Sequence, residues 1–497
     1  MNITSIVFSV FCAGTILIYW RLPFRFRSWW LLGVSTLFVV SWSWELACIL
    51  LVVASTNFTL GQWLQSEKTR RRVLLWTGIL FDIFVLLALK YSDFYLQALV
   101  RLSTRIGIEV NAGGLQLLAP VGLSFITLQM ISYLVDISRS QLTAEKRWLE
   151  FSLYVLYFPK FLSGPIERAK TFIPKLGEHA PLTNEQIGRG CALIFIGFVR
   201  KRLFADALNA MIPADAFVHP LNYSAAILLS WLLAYAFAIY NDFAGYSCIV
   251  RGVSSLFGIE LTNNFSVPYL SRSFSEFWNR WHISLSNWLR DYIFFPTTRA
   301  LLKKIPAHDH ILNIFIPPLV TMLVSGLWHG VSWSLILWGG LQGGFLVVER
   351  ISKLWGPNLP PDEQPKYRQI LGTIFVFVLI TLAWLPFRMD FVNAKRFFAG
   401  IILPSHWVAP DWLWLQEVLV GHDPLPNVYL FNIPDPRIII VLIPAILLDW
   451  AHNHAKDELM FLKWPGWLQT MLYISVIAGL FLMAFSDTRA PFVYQGF

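Results

Sequence analysis

Charge is what this chain has least of. Only 14% of its 497 residues are Asp, Glu, Lys or Arg, about half the share of a soluble domain, and 56% are hydrophobic. A soluble enzyme is thereby excluded. Cysteine is scarce too: Cys12, Cys48, Cys191 and Cys248 stand singly in apolar sequence, so neither a disulfide framework nor a thiolate metal site is encoded, and they read as packing residues. There is no phosphate-cradling glycine loop and no GxSxG elbow, which removes nucleotide-dependent and serine-hydrolase chemistry. No short-period repeat or low-complexity linker divides the chain, so residues 1–497 read as a single membrane-embedded domain.

What is present is a succession of apolar runs of about twenty residues, the length that crosses a bilayer as a helix. Backbone groups in lipid must be paired within a helix or a closed barrel, and continuous runs without alternation exclude the barrel. The fold class is therefore an all-α polytopic membrane protein, with about eleven spans plus re-entrant or interfacial helices. The first run, Ile3–Trp20, has no basic region ahead of it and reads as a retained span, its N-terminus outside.

The net charge of +9 does not indicate nucleic acid. The basic residues sit in short loops, Arg21–Arg27 and Glu67–Arg72, where the positive-inside rule puts them. Arg200-Lys201-Arg202 and Lys303-Lys304 are read the same way, as cytoplasmic clusters able to attract an anionic donor. Arg101–Gly114 is expected as an external loop and Leu403–Pro436 as an interfacial one. The segment FLSGPIERAKTFIPKL reads as re-entrant or cytoplasm-facing, and Asn241-Asp242, between apolar runs, as a polar break at membrane depth.

Ser273–Pro296 is expected to be one helix, opened by a Ser273/Glu276 capping box and closed by Pro296. Its aromatic face carries Trp278, Trp281, His282, Leu285, Trp288, Leu289 and Tyr292; Arg280, Arg290 and Asp291 keep it out of open lipid. About thirty residues later GLWHG delivers His329 between Trp328 and Gly330. A desolvated imidazole stays neutral and can accept a proton, and flanking glycines allow close approach. The alternative reading of either residue is a histidine packed between helices, and His282, alone on an aromatic face, is read first as one that holds a partner helix or lines the cavity. The HxH pairs His308/His310 and His452/His454 read as solvated, and Arg388 as an interfacial anchor.

The two histidine elements resemble the membrane-bound O-acyltransferase family, in particular its bacterial glycan-modifying branch. The resemblance includes residues 119–136, FPKFLSGPIERAKTFIPKL, GFVRKRLFAD and YNDFAGYSCIVRG. It continues through residues 263–296, SGLWHG, AWLPFR and PFVYQGF, so its core lies within residues 119–388. It implies a ring of tilted helices around a central tunnel. His329 matches the family's catalytic histidine, and His282 the second histidine of its WHISL element. Trp328, Trp281, Asp242 and Asn241 are the substrate-binding candidates. Two features depart from the family pattern: Asn241 stands where an aromatic residue usually precedes the Asp, and residues 294–304 lack the usual Pro-Leu-Gly-Gly turn.

The implied reaction moves an acyl group, acetyl in the first instance, from a cytoplasmic thioester to hydroxyls of a secreted or cell-surface polysaccharide. The thioester, acetyl-CoA or an acyl-carrier protein, is a co-substrate; no tightly bound cofactor and no metal are expected. Implied partners are membrane lipid, the glycan acceptor, a secreted or membrane-anchored transferase and a carrier protein; the location is the inner or plasma membrane. His329 acts as general base or, alternatively, first accepts the acyl group, with the indoles of Trp328 or Trp281 as oxyanion donors. A lipid acceptor, teichoic-acid D-alanylation and a non-enzymatic polymer transporter are the alternatives.

Overall fold

In the computed structural model, residues 3–90, 100, 102–104, 122–177, 181–355, 364–407 and 434–484 are described. Among them every regular element is helical. Six helices are long and apolar enough to cross a membrane, and three shorter apolar ones accompany them. The expected external loop falls mostly outside the described residues, as do the interior of the expected interfacial loop and the aromatic C-terminus, residues 491–497.

The described residues group into two compact units. The first draws on Met1–Ile194 and Val250–Thr262, the second on Phe195–Ile249 and Asn263–Phe497. The first holds α1 (Ile6–Arg21), α2 (Phe24–Val40), α3 (Trp44–Ser66), α4 (Arg71–Lys90), α5 (Leu123–Ser138), α6 (Trp148–Leu156) and α7 (Ala169–Lys175). Local chemistry sets several of these boundaries. Ser5 and Ser43 cap α1 and α3 by accepting from Phe8 N and Leu46 N, and residues 41–43 separate α2 from α3.

The segment that follows α6 is buried from Tyr157 through Glu167, and Lys160 and Glu167 find partners within the unit. Lys160 Nζ donates to Gln129 Oε1 (2.5 Å) and lies over the Tyr154 and Phe172 rings; Glu167 accepts from Thr262 N at 2.6 Å. Gly122, at φ +78°, abuts the Phe161 carbonyl, a backbone conformation and a clearance that only glycine provides.

The second unit contains the C-terminal end of α8 (Asn184–Phe198) and Ala225–Ile249 of α9 (Ala225–Ser255). After α9 come α10 (Phe274–Arg280), α11 (Ile283–Leu289), α12 (Phe295–Leu302), α13 (Ile311–His329), α14 (Trp333–Trp355), α15 (Lys366–Arg388), α16 (Phe391–Ile402), α17 (Pro436–Ala455) and α18 (Gly466–Ala484).

Three expectations fail here, each for a physical reason. Asn241-Asp242 does not break a helix: α9 runs straight through, and Asn241 Nδ2 bonds the Phe237 carbonyl one turn back. Residues 273–296 are not one helix. Ser273 does cap α10, accepting from Glu276 N at 3.1 Å, but Glu276 Oε2 accepts from Arg272 N and no reciprocal box forms. The helix stops at Arg280, His282 turns left-handed (φ +41°), and α11 restarts beyond it. Pro296 closes nothing; it sits at the start of α12, which continues directly from a π-helical stretch, Arg290–Phe294.

The third failure concerns Arg200-Lys201-Arg202. They lie in a π-helical stretch, Val199–Asp206, with Arg200 and Lys201 only 4% and 3% exposed. Carboxylates from three places neutralise them. Arg200 Nη2 meets Asp449 Oδ1 at 2.7 Å, Lys201 pairs with Asp242 and with Asp206 (2.9 Å), and Arg202 reaches Asp206 Oδ2 at 2.6 Å. They form a buried ion-pair network and not an anion-attracting surface. The same network draws in His452, read as solvated; it is 6% exposed, with Nδ1 3.4 Å from Arg200 Nη2. Cys12 and Cys248 are packed, whereas Cys48 and Cys191 are exposed on their helices.

Removing one member of a buried pair strands the other charge at a cost of about 3–5 kcal/mol, while replacing both by apolar groups costs far less. Arg200→Ala should therefore lower the thermal unfolding temperature in detergent much more than the double change Arg200→Met/Asp449→Leu does. Equal losses would show that the pair carries no such coupling.

Candidate active site

The site lies wholly within the second unit and begins with two helices in unusually close contact. α13 and α14 pack against each other through small residues. A Cβ on Gly326 would collide with the Leu335 carbonyl oxygen, one on Gly339 with the Met322 carbonyl oxygen, and one on Gly343 would sit 3.0 Å from Leu319 Cα. Glycine at these positions lets the backbones meet. α13 ends at His329, after which Gly330 leaves the helix.

That placement puts the His329 ring in an aromatic enclosure. Its centroid is 4.8 Å from Trp328, 5.3 Å from Trp338 on α14, and 5.0 Å from Phe387 on α15; Trp338 is perpendicular to it. His329 is 4% exposed. α10 closes another side by lying along one face of α14. Phe274 stacks on Phe345 at 4.8 Å, Trp278 contacts Trp338 at 6.0 Å, and Ser275 N donates to Glu349 Oε2 at 2.9 Å. Residues 338, 342, 345 and 349 follow helical spacing, so Gln342 faces this seam as well.

His282 stands on the other side of Trp328, its ring 6.2 Å from that indole and 4.8 Å from Phe243. Trp328 thus lies between the two histidines. The left-handed turn at His282 is held on its C-terminal flank by Asn264: Ile283 N donates to Asn264 O at 2.9 Å and Ser284 N to Asn264 Oδ1 at 3.3 Å. Ser286 Oγ donates to Trp281 O at 3.0 Å. Burial pushes the imidazole down to about 3 from its ordinary 6.5, so it is neutral at physiological pH.

The remaining sequence candidates have other surroundings. Trp281 is packed within an aromatic core against Trp384 (4.9 Å), Phe265 (5.2 Å) and Phe277 (5.6 Å). Asn241 Oδ1 accepts from Arg200 Nη1 at 2.8 Å and Asp242 pairs with Lys201, so both anchor the ion-pair network. Arg388 lies over the Phe217 and Tyr235 rings. Trp338, Phe387 and Gln342 were not singled out from sequence. Gln342, a polar residue on the 338–349 stripe of an apolar helix, carried a readable signal.

The catalytic possibility of such a site is a buried imidazole with no carboxylate required, hence proton transfer to or from an already activated acyl group. The profile of the membrane-bound O-acyltransferase family matches residues 36–389. The chain belongs to that family. This acyltransferase is 31% identical to the "Probable alginate O-acetylase" of Azotobacter vinelandii over 403 residues, covering 79% of this chain and 76% of that protein. It is 25% identical to the peptidoglycan O-acetyltransferase of Helicobacter pylori, covering 95% and 92%. It is 30% identical to the teichoic acid D-alanyltransferase of Streptococcus thermophilus, covering 58% and 72%. Membership makes the chain a multi-pass membrane O-acyltransferase and sets the transporter reading aside.

Two outcomes test the geometry. Gly326→Ala should lower both unfolding temperature and acyl transfer, the latter at least tenfold, because α14 must move away from the turn that carries His329. Gly340→Ala, on the facing helix α14 but with nothing within 4 Å of its would-be Cβ, should be near neutral. His282 makes a pH-dependent contribution. Its folded value lies below the unfolded one, so the unfolded chain binds the extra proton as pH falls through 6.5 towards 3, and stability falls with it. Replacement by Asn should flatten that acid-side loss in unfolding experiments; an unchanged slope would contradict it.

Proposed function

We propose that this enzyme transfers an acyl group, acetyl in the simplest case, from a cytoplasmic thioester to hydroxyls of a secreted or cell-surface polysaccharide. The donor is acetyl-CoA or an acyl-carrier protein. The observation that carries the proposal is His329, buried in an aromatic enclosure at the end of an apolar span, at a glycine-lined helix contact. Similarity to enzymes named for alginate and peptidoglycan O-acetylation favours a glycan acceptor and acetyl over a lipid acceptor or D-alanine.

A thioester is already activated, so the enzyme must deprotonate the acceptor and position it. In this reading neutral His329 takes the hydroxyl proton as the oxygen attacks the carbonyl carbon, then returns it to the leaving thiolate. His282, across Trp328 and held neutral, is a positioning residue that fixes the wall of the site. Asn241 and Asp242 act at one remove, by holding Arg200 and Lys201. The donor enters from the cytoplasm and the acceptor from the outer face of the plasma (inner) membrane, where a secreted or membrane-anchored partner transferase completes delivery.

His329→Ala and His329→Gln should both abolish transfer while expression and monodispersity in detergent stay near wild type. Gln keeps hydrogen-bonding capacity but cannot take a proton, so turnover by that variant would overturn the general-base role.

A further inference from the structure

The tryptophans around His329 are of two kinds. Trp384 Nε1 donates to Tyr269 Oη at 3.1 Å, and that hydroxyl donates onward to the Ala236 carbonyl at 2.6 Å. Its N–H is satisfied within the protein. Trp278 and Trp338 differ: both indole nitrogens are buried, and neither finds an acceptor among the described residues. An indole N–H can only donate, and a buried donor left unpaired costs about 1–3 kcal/mol. Phenylalanine would fill such a position without that cost.

We infer that Trp278 and Trp338 donate their indole N–H groups to the acyl carbonyl oxygen of the thioester and carry its charge in the tetrahedral intermediate. The inference rests on the acyl-transfer reading above and names the charge-bearing donors it requires. The rings of Trp278, Trp338 and His329 lie in series, with centroids 6.0 Å and 5.3 Å apart, so base and donors are neighbours. The acceptor oxygen forms its bond to the carbonyl carbon, the C=O π pair moves onto the oxygen, and His329 takes the proton. On collapse the pair returns, the C–S bond breaks with its electrons on sulfur, and the thiolate recovers the proton. Only the middle state bears the charge on oxygen, so two fixed donors there lower the barrier without tightening substrate binding to match.

A second orphan group continues the pattern with opposite polarity. Gln342 Oε1 is buried and finds no donor among the described residues, and it lies one turn beyond Trp338 on the same face of α14. One turn is ~5.4 Å along the axis. The first amide N–H of a pantetheine-type thioester arm is two carbons from sulfur, so a carbonyl at the indoles brings that N–H towards Gln342.

The test uses the full chain in lipid nanodiscs, with acetyl-CoA and an acetylated carrier protein assayed as donors and alginate oligosaccharides as acceptor. Trp338 and Trp278 are replaced singly by Phe and by benzothienylalanine, which keeps the shape of indole but lacks the N–H. Each benzothienyl variant should lose about 10²- to 10³-fold in kcat with KM and unfolding temperature little changed. Gln342→Leu should raise KM for the donor with kcat nearly intact. Wild-type turnover numbers in both benzothienyl variants would overturn the assignment while leaving acyl transfer standing; a wild type inactive with every donor counts against the acyl-transfer reading itself.

A measurement independent of turnover uses His329→Ala loaded with [1-¹³C]acetyl-CoA. Its carbonyl stretch should lie below the free thioester's and move back up when Trp338→Phe is added. An identical stretch in the two proteins overturns the inference.

Discussion

The contact between α13 and α14 is the constraint on which the site depends. Three glycines let two helical backbones meet at van der Waals distance, and that closeness fixes where α13 ends. Because α13 ends at His329 and α14 begins four residues later, the position of one imidazole follows directly from the packing of a helical hairpin. Trp338 and Phe387 then complete an enclosure that excludes water from the ring. Access to the base and its orientation both follow from that contact.

Around this hairpin the second unit handles its polar groups in two distinct ways. The charges near α9 are fully matched: Arg200, Lys201 and Arg202 meet Asp449, Asp242 and Asp206, with Asn241 and Tyr240 adding hydrogen bonds. Such a network is costly to open and keeps its elements in one arrangement. Next to His329, two buried indole donors and one buried amide acceptor are left unmatched among the described residues.

His282 shows how a left-handed residue can serve a site without joining its chemistry. A continuous helix through residues 273–296 would send residues 283–289 in a different direction from the one α11 takes. The break at His282, tied to Asn264, instead leaves the imidazole against Phe243 and the Trp328 indole. Burial keeps it uncharged, so no counter-ion is needed in that wall. The strain of a positive φ on a non-glycine residue is of the kind held at functional sites by surrounding bonds.

The sequence by itself determined the all-helical membrane class, because scarce charge and long apolar runs admit little else. It also determined the helix start at the Ser273 cap, and it marked His329 through an ionisable residue in an apolar context. What only the tertiary structure decided are the features that depend on distant partners. Arg200-Lys201-Arg202 looks like a surface cluster until Asp449, almost two hundred and fifty residues away, is brought to it. The helical periodicity of residues 273–296 was real on both sides of His282, but Asn264, outside the window, decided where it broke. Whether the N–H of an indole in an aromatic stripe meets an acceptor is likewise a tertiary matter: that of Trp384 does, and those of Trp278 and Trp338 find none among the described residues. Local periodicity records which face of a helix is buried; only the assembled neighbours supply or withhold the partner for each polar atom on it.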